Sequence, residues 1–140
     1  KYSTKQINSL LSLSKFLVKK YKIKKENILG HSDIAPDRKK DPGEKFPWKY
    51  LGKKKICIWH SASKELLKKN RQIKANNKEK RVFFKNLFQI GYARTLLKNL
   101  DKTNQLRLIV RAFQRRFRQE LINGIIDKEC VIISNNLIKK

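Results

Sequence analysis

The sequence contains no methionine. A chain without an initiator is a processed form or a piece of a longer protein, and the second is the expectation taken forward. Cysteine is almost as scarce. Cys57 and Cys130 stand far apart with no C-x-x-C spacing. They read as small buried hydrophobes rather than as a zinc pair or a catalytic thiol. A single bridge between them would not fix the redox compartment. No apolar run approaches the roughly 20 residues that a spanning helix needs. The opening Lys1-Tyr2-Ser3-Thr4 leads into an amphipathic stretch, which is not the pattern of a signal peptide.

Acidic residues are the other shortage. Eleven Asp and Glu face 36 Lys and Arg, for a formal charge of +25. Residues 1–60 hold sixteen basic residues against five acids, and residues 61–140 hold twenty against six. The excess is spread along the chain, not gathered in a tail. Such charge suits a polyanion: nucleic acid, anionic lipid or cell wall. The wealth of Lys, Asn and Ile is also what AT-rich coding produces, so charge alone does not choose a partner. No zinc-finger, RNP-type or helix-turn-helix signature accompanies it, and nucleic acid is not the expected partner.

Residues 4–21 carry Ile7, Leu10, Leu11, Leu17, Val18 and Tyr21 at helical spacing. Ser3 or Thr4 is placed to cap that helix. Glu26 to His31 reads as a turn and then a short strand delivering His31. Residues 32–50 hold all three prolines and read as loop, since each Pro restricts itself and its predecessor. Lys53 to Trp59 reads as a short strand or an extended tail. Ser61 to Lys80 is polar, with Leu66 and Leu67 its main apolar pair, and reads as a boundary with room for one short helix. Helices are expected over 80–91 (Val82, Phe83, Leu87, Ile90) and 104–119 (Leu106, Ile109, Val110, Phe113, Phe117), and after a cap at Asp127. Leu96, Leu97 and Leu100 read as a loop or turn before a cap at Asp101 or Thr103.

The loop carries the chemistry. His31 and Asp41 are of metal-ligand type, and Lys39 is a cation two positions before the Asp. A catalytic zinc centre uses three protein ligands and leaves a fourth position for water. On spacing alone, the simpler reading is that His31 caps the strand and Asp41 caps the Pro42-Gly43 turn.

The run His31-Ser32-Asp33-Ile34-Ala35-Pro36, then Arg38-Lys39, Asp41-Pro42-Gly43 and Phe46-Pro47-Trp48, resembles the C-terminal signature of the zinc-dependent N-acetylmuramoyl-L-alanine amidases. This is the type-2 amidase family, and the likeness is greatest to its AmiD/AmpD-like branch in Gram-negative bacteria. Farther on, Ala112-Phe113-Gln114, Phe117-Arg118, Asn123-Gly124 and Asp127 resemble the three-helix peptidoglycan-binding module of the same branch. The resemblance implies an α/β (α+β) amidase fold, present as its C-terminal part over residues 1–60. A linker over 61–79 and a small all-α module over 80–140 would follow. It implies zinc as cofactor, with His31 and Asp41 as two of three ligands. Lys39 would stabilise the tetrahedral intermediate. Asp33, Arg38 and Trp48 would support the loop. Peptidoglycan or muropeptides would be the partner, and the amide between muramic acid and L-alanine the bond cleaved. The periplasm or outer membrane is the implied location, with cytoplasm the alternative.

Two departures bear on activity. The family's further His ligand and its general-base Glu precede the first helix, and neither is in these 140 residues. His60, the other histidine, comes too late in the order and reads as a surface or linker residue. Glu44 also stands where the branch usually has Pro. The expectation is therefore an incomplete chain, inactive alone. A peptidoglycan-binding module without catalysis is the alternative, and a basic nucleic-acid-binding protein the more distant one.

Overall fold

A computed structural model describes residues 2–92 and 102–139. Seven α-helices follow in order among them: α1 Thr4–Tyr21, α2 His31–Ile34, α3 Trp48–Lys53, α4 Lys64–Asn70, α5 Asn77–Ile90, α6 Lys102–Phe117 and α7 Lys128–Ile138. The expected α/β (α+β) fold is not what the chain forms: the described residues contain no strand. Their one pairing of this kind is an isolated bridge between Lys74 and Asp127.

The reason is visible where the first strand was expected. Residues 25–27 form a 3-10 turn, and the chain is extended only from Ile28 to Gly30. A ladder needs free backbone groups on a neighbour. Here those groups are already taken: Ile28 C=O accepts from Arg116, and Gly30 N–H donates to the Asp33 carboxylate. The second expected strand fails differently. Residues 48–53 are α3, and the chain then turns through a left-handed Lys55, whose N–H returns to Gly52 C=O.

The helices themselves follow from the sequence. Ser3 caps α1 by accepting from Gln6 N–H, while the Gln6 side chain accepts from Ser3 N–H. The same reciprocal pair joins Asn76 and Glu79 at α5. Gly91, in the left-handed region at φ 107°, ends α5. Asp127 caps α7 by accepting from Cys130 N–H at 3.0 Å. The turn expected at Leu96, Leu97 and Leu100, and the capping side chains of Asp101 and Thr103, lie outside what is described.

Among the described residues, two apolar clusters hold the chain. The larger joins α4 to α7 around Phe83, Ile109, Phe113 and Ile133, all essentially inaccessible to solvent. Phe113 meets Phe83 edge-on at 5.0 Å and lies tilted against Phe117 at 5.1 Å. Burying each such side chain contributes roughly 1.5–3 kcal/mol. The smaller cluster has four buried members, Trp48, Leu51, Ile56 and Cys57. Leu10 and Leu11 of α1 pack against it only in part, and no residue of α1 is buried. Tyr21, expected on its packed face, is exposed, as are Leu13 and Phe16. Both cysteines are buried and free.

The polar stretch 61–79 is not bare. Ser63 caps α4 and Leu67 is buried against the larger cluster. Arg71 then forks onto Glu129 with two bonds of 2.7 Å, and Arg118 reaches Asp127 at 2.5 Å. These buried and half-buried charges tie the residues after α6 and the segment before α5 to the start of α7.

Candidate functional site

The Gly30–Trp48 loop is shaped by its own backbone. Ser32 N–H donates to Asp41 C=O at 3.0 Å, so the two ends of the His31–Asp41 span close on one another. Lys39 N–H and Arg38 N–H both return to Ala35 C=O. The Asp41–Pro42 peptide is cis. Gly30 is where the loop closes most tightly. A Cβ there would stand 2.6 Å from Pro42 Cδ and 3.1 Å from the Trp48 ring. No larger residue fits without moving the proline that follows Asp41.

This closure brings His31 and Asp41 into contact. His31 Nδ1 and Asp41 Oδ2 share a hydrogen bond, and both side chains are largely open to solvent. The bond from His31 is the main cause holding the Asp41 carboxyl below its usual range, and the nearby Lys39 charge acts the same way. Lys39 and Arg38 are exposed beside them. One nitrogen and one oxygen donor thus converge at the surface, with a cation alongside.

Asp33 lies on the opposite, buried side of the loop. Its Oδ2 accepts from Gly30 N–H at 2.9 Å and from Arg116 Nη1 at 2.6 Å. Its Oδ1 accepts from the Tyr92 hydroxyl. Burial, with the Asp33 charge beside it, pushes that hydroxyl well above its ordinary pKa, so Tyr92 remains a donor. The Arg116 guanidinium lies 4.6 Å from the centre of the Trp48 ring and donates to Ile28 C=O at 2.9 Å. Gln119 donates to Phe46 C=O at 2.8 Å. The loop is therefore fastened at both ends to α6 and the residues after it. Sequence reasoning did not find Arg116, Tyr92 or Gln119. An arginine inside the apolar stripe Ile109, Val110, Phe113, Phe117 was the available signal, because a buried charge needs a partner.

Residues 1–44 match the family described as N-acetylmuramoyl-L-alanine amidase. The matched segment takes in most of the loop, from Gly30 to Glu44. N-acetylmuramoyl-L-alanine amidase AmiD of Escherichia coli K12 is 34% identical over 135 residues, which is 96% of this chain and 48% of AmiD. The 1,6-anhydro-N-acetylmuramyl-L-alanine amidase AmpD of Enterobacter cloacae is 45% identical over 47 residues, 34% of this chain and 25% of that protein. Among solved structures, E. coli AmiD in complex with anhydro-N-acetylmuramic acid-L-Ala-D-γ-Glu-L-Lys superposes with a TM-score of 0.79 at 31% identity, over 96% of this chain and 51% of that one. AmpDh3 of Pseudomonas aeruginosa, in complex with anhydromuramic pentapeptide, gives 0.79 at 30% identity, over 99% and 53%. The chain spans about half the length of the amidase most of it aligns with.

Among the described residues, no group of three or more His, Cys, Asp or Glu is placed to hold a metal ion. His31 and Asp41 fit as two donors. Among the described residues no third donor stands beside them. His60 is far from filling that role: it is partly buried and stacks on Trp59 at 5.0 Å.

Proposed function

We propose that this chain supplies one wall of a zinc-dependent N-acetylmuramoyl-L-alanine amidase, a hydrolase of peptidoglycan fragments in the periplasm or at the outer membrane. The observation that carries the reading is the convergence of His31 Nδ1 and Asp41 Oδ2 on a loop closed by the Ser32–Asp41 bond, with Lys39 beside them. His31 and Asp41 would be the zinc donors. When bound in such a site, zinc supplies an acidified water and polarises the amide carbonyl. Lys39 would offset the negative charge that develops on that carbonyl oxygen, where a preorganised cation has most effect. Asp33, Trp48 and Arg116 hold the donors in place without touching substrate. Arg38 lies in the same turn and would have a supporting part.

The test is a chimera in which this chain replaces the matching half of E. coli AmiD, so that the remaining donors come from the relative. Zinc-dependent release of free peptide from anhydro-N-acetylmuramic acid-L-Ala-D-γ-Glu-L-Lys is expected. It should disappear in His31→Ala and Asp41→Ala and fall by about two orders of magnitude or more in Lys39→Ala. A folded chimera that releases no peptide would contradict the reading. So would one that is indifferent to His31 and Asp41.

A further inference from the structure

A cavity of about 290 Å³ opens on residues that the loop does not use. Its walls come from α3, the segment after it, α4, the end of α6 and the start of α7. The floor is apolar: Trp59, Leu67 and Phe117, with the Trp59 and Phe117 rings 5.7 Å apart. The rim is mainly basic, with Lys49 and Lys53 from α3 and Lys64 from α4 against one exposed acid, Glu120. Arg71 also faces it, but its charge is already met by Glu129 at 2.7 Å and approached by Glu120 at 3.9 Å. The three lysines have no ion-pair partner within the cavity wall, so their field falls on whatever enters.

The walls are braced by contacts within the chain. Trp59 lies so close to α3 that a Cβ on Gly52 would stand 2.4 Å from Trp59 Cβ. Ser61 N–H donates to Asn136 Oδ1 at 2.7 Å, which ties the segment to α7. The Arg71–Glu129 fork closes the far side. A small concave apolar floor with a few convergent charges is the usual form of a ligand site, and pre-formed walls avoid the ordering cost of binding.

We infer that this cavity is a second ligand site, taking a carboxylate-bearing peptide with its apolar part against Trp59 and its carboxylate among Lys49, Lys53 and Lys64. A peptide chain is favoured over a bare anion because the floor offers aromatic area that inorganic ions leave uncovered. That the peptide is a peptidoglycan stem rests on the amidase reading. The existence of the site does not. Such a site would hold one stem while the loop addresses another.

The experiment follows the two tryptophan indole N–H signals of the ¹⁵N-labelled chain by NMR, assigned with Trp59→Phe. The probe is N-acetylated L-Ala-D-γ-Glu-L-Lys, compared with the same peptide amidated at both carboxyls and with inorganic phosphate. Saturable shifts of the Trp59 indole and of Leu67 and Gln119 amides are expected with the free acid, and little with the amide or phosphate. Lys53→Glu/Lys64→Glu should weaken binding about tenfold or more. Lys80→Glu/Lys85→Glu, equal in charge but on the exposed side of α5, should stay within ~twofold. No saturable shift up to about 10 mM peptide would overturn the inference. So would equal loss in both double variants, or phosphate matching the peptide. Shifts without peptide release by the chimera would sink the amidase reading alone. Release without shifts would sink this one alone.

Discussion

Removing the Asp33 carboxylate is expected to unfasten the loop from α6, at a cost the structure lets us size. Asp33→Ala takes away three acceptor contacts: Gly30 N–H, Arg116 Nη1 and the Tyr92 hydroxyl. The side chain of Arg116 is only 2% exposed, and it is left with Ile28 C=O and two aromatic faces. An uncompensated buried guanidinium costs about 3–5 kcal/mol. That is a large part of the roughly 5–15 kcal/mol that holds an ordinary domain together. Arg116→Met should cost a similar amount, because Asp33 then keeps its charge but loses its cation. The double variant removes both charges, and the partners' losses should not add: a coupling of about 1–3 kcal/mol is expected. Urea unfolding followed by far-UV circular dichroism measures all four corners of the cycle. A single-variant cost below about 1 kcal/mol, or additivity within ~0.5 kcal/mol, would refute the claim that this pair clamps the loop.

Other outcomes follow from particular contacts. Gly30→Ala should displace Pro42 and lower stability by about 1–3 kcal/mol, the range for forced overpacking; an unchanged urea midpoint would show the loop closure to be loose. Burial pushes the Cys130 thiol up to about 12 and raises that of Cys57 too. Neither should react with a disulfide reagent at pH 8 in the native chain, and both should react in denaturant. Because the folded thiol of Cys130 titrates above the unfolded value of 9.0, its share of stability is intact below pH 9 and lost as pH rises toward 12. Flat stability over that range would contradict the assignment. Among the helices, amide exchange should be faster in α1, which buries no residue, than around Phe113 and Ile133. Equal protection of the two regions would show α1 to be held by more than Leu10 and Leu11.

The helices and their ends were legible in the sequence, because capping and 3.6-residue periodicity are local. Ser3, Gly91 and Asp127 mark boundaries that the structure places within a residue or so. The loop was legible through its motif. The strands were misread because an extended run such as Ile28–Gly30 becomes a strand only with a neighbour to pair with, and pairing is not a local property. The helix α3 was missed because the prolines made residues 32–50 read as loop, whereas Pro immediately before a helix is compatible with it. What tertiary packing alone could reveal is the back of the site. Arg116, Tyr92 and Gln119 meet the loop across 59 residues or more of chain, and no spacing rule connects them.

The central claim is that His31 and Asp41 together face a cation. Zinc titration of the ¹⁵N,¹³C-labelled chain, read at the His31 imidazole, tests it most directly. Saturable, weak binding is expected, as two donors allow, lost in His31→Ala and in Asp41→Ala but kept in Lys39→Ala. Zinc binding that survives both His31→Ala and Asp41→Ala, or a His31 signal that zinc leaves unmoved, would contradict it.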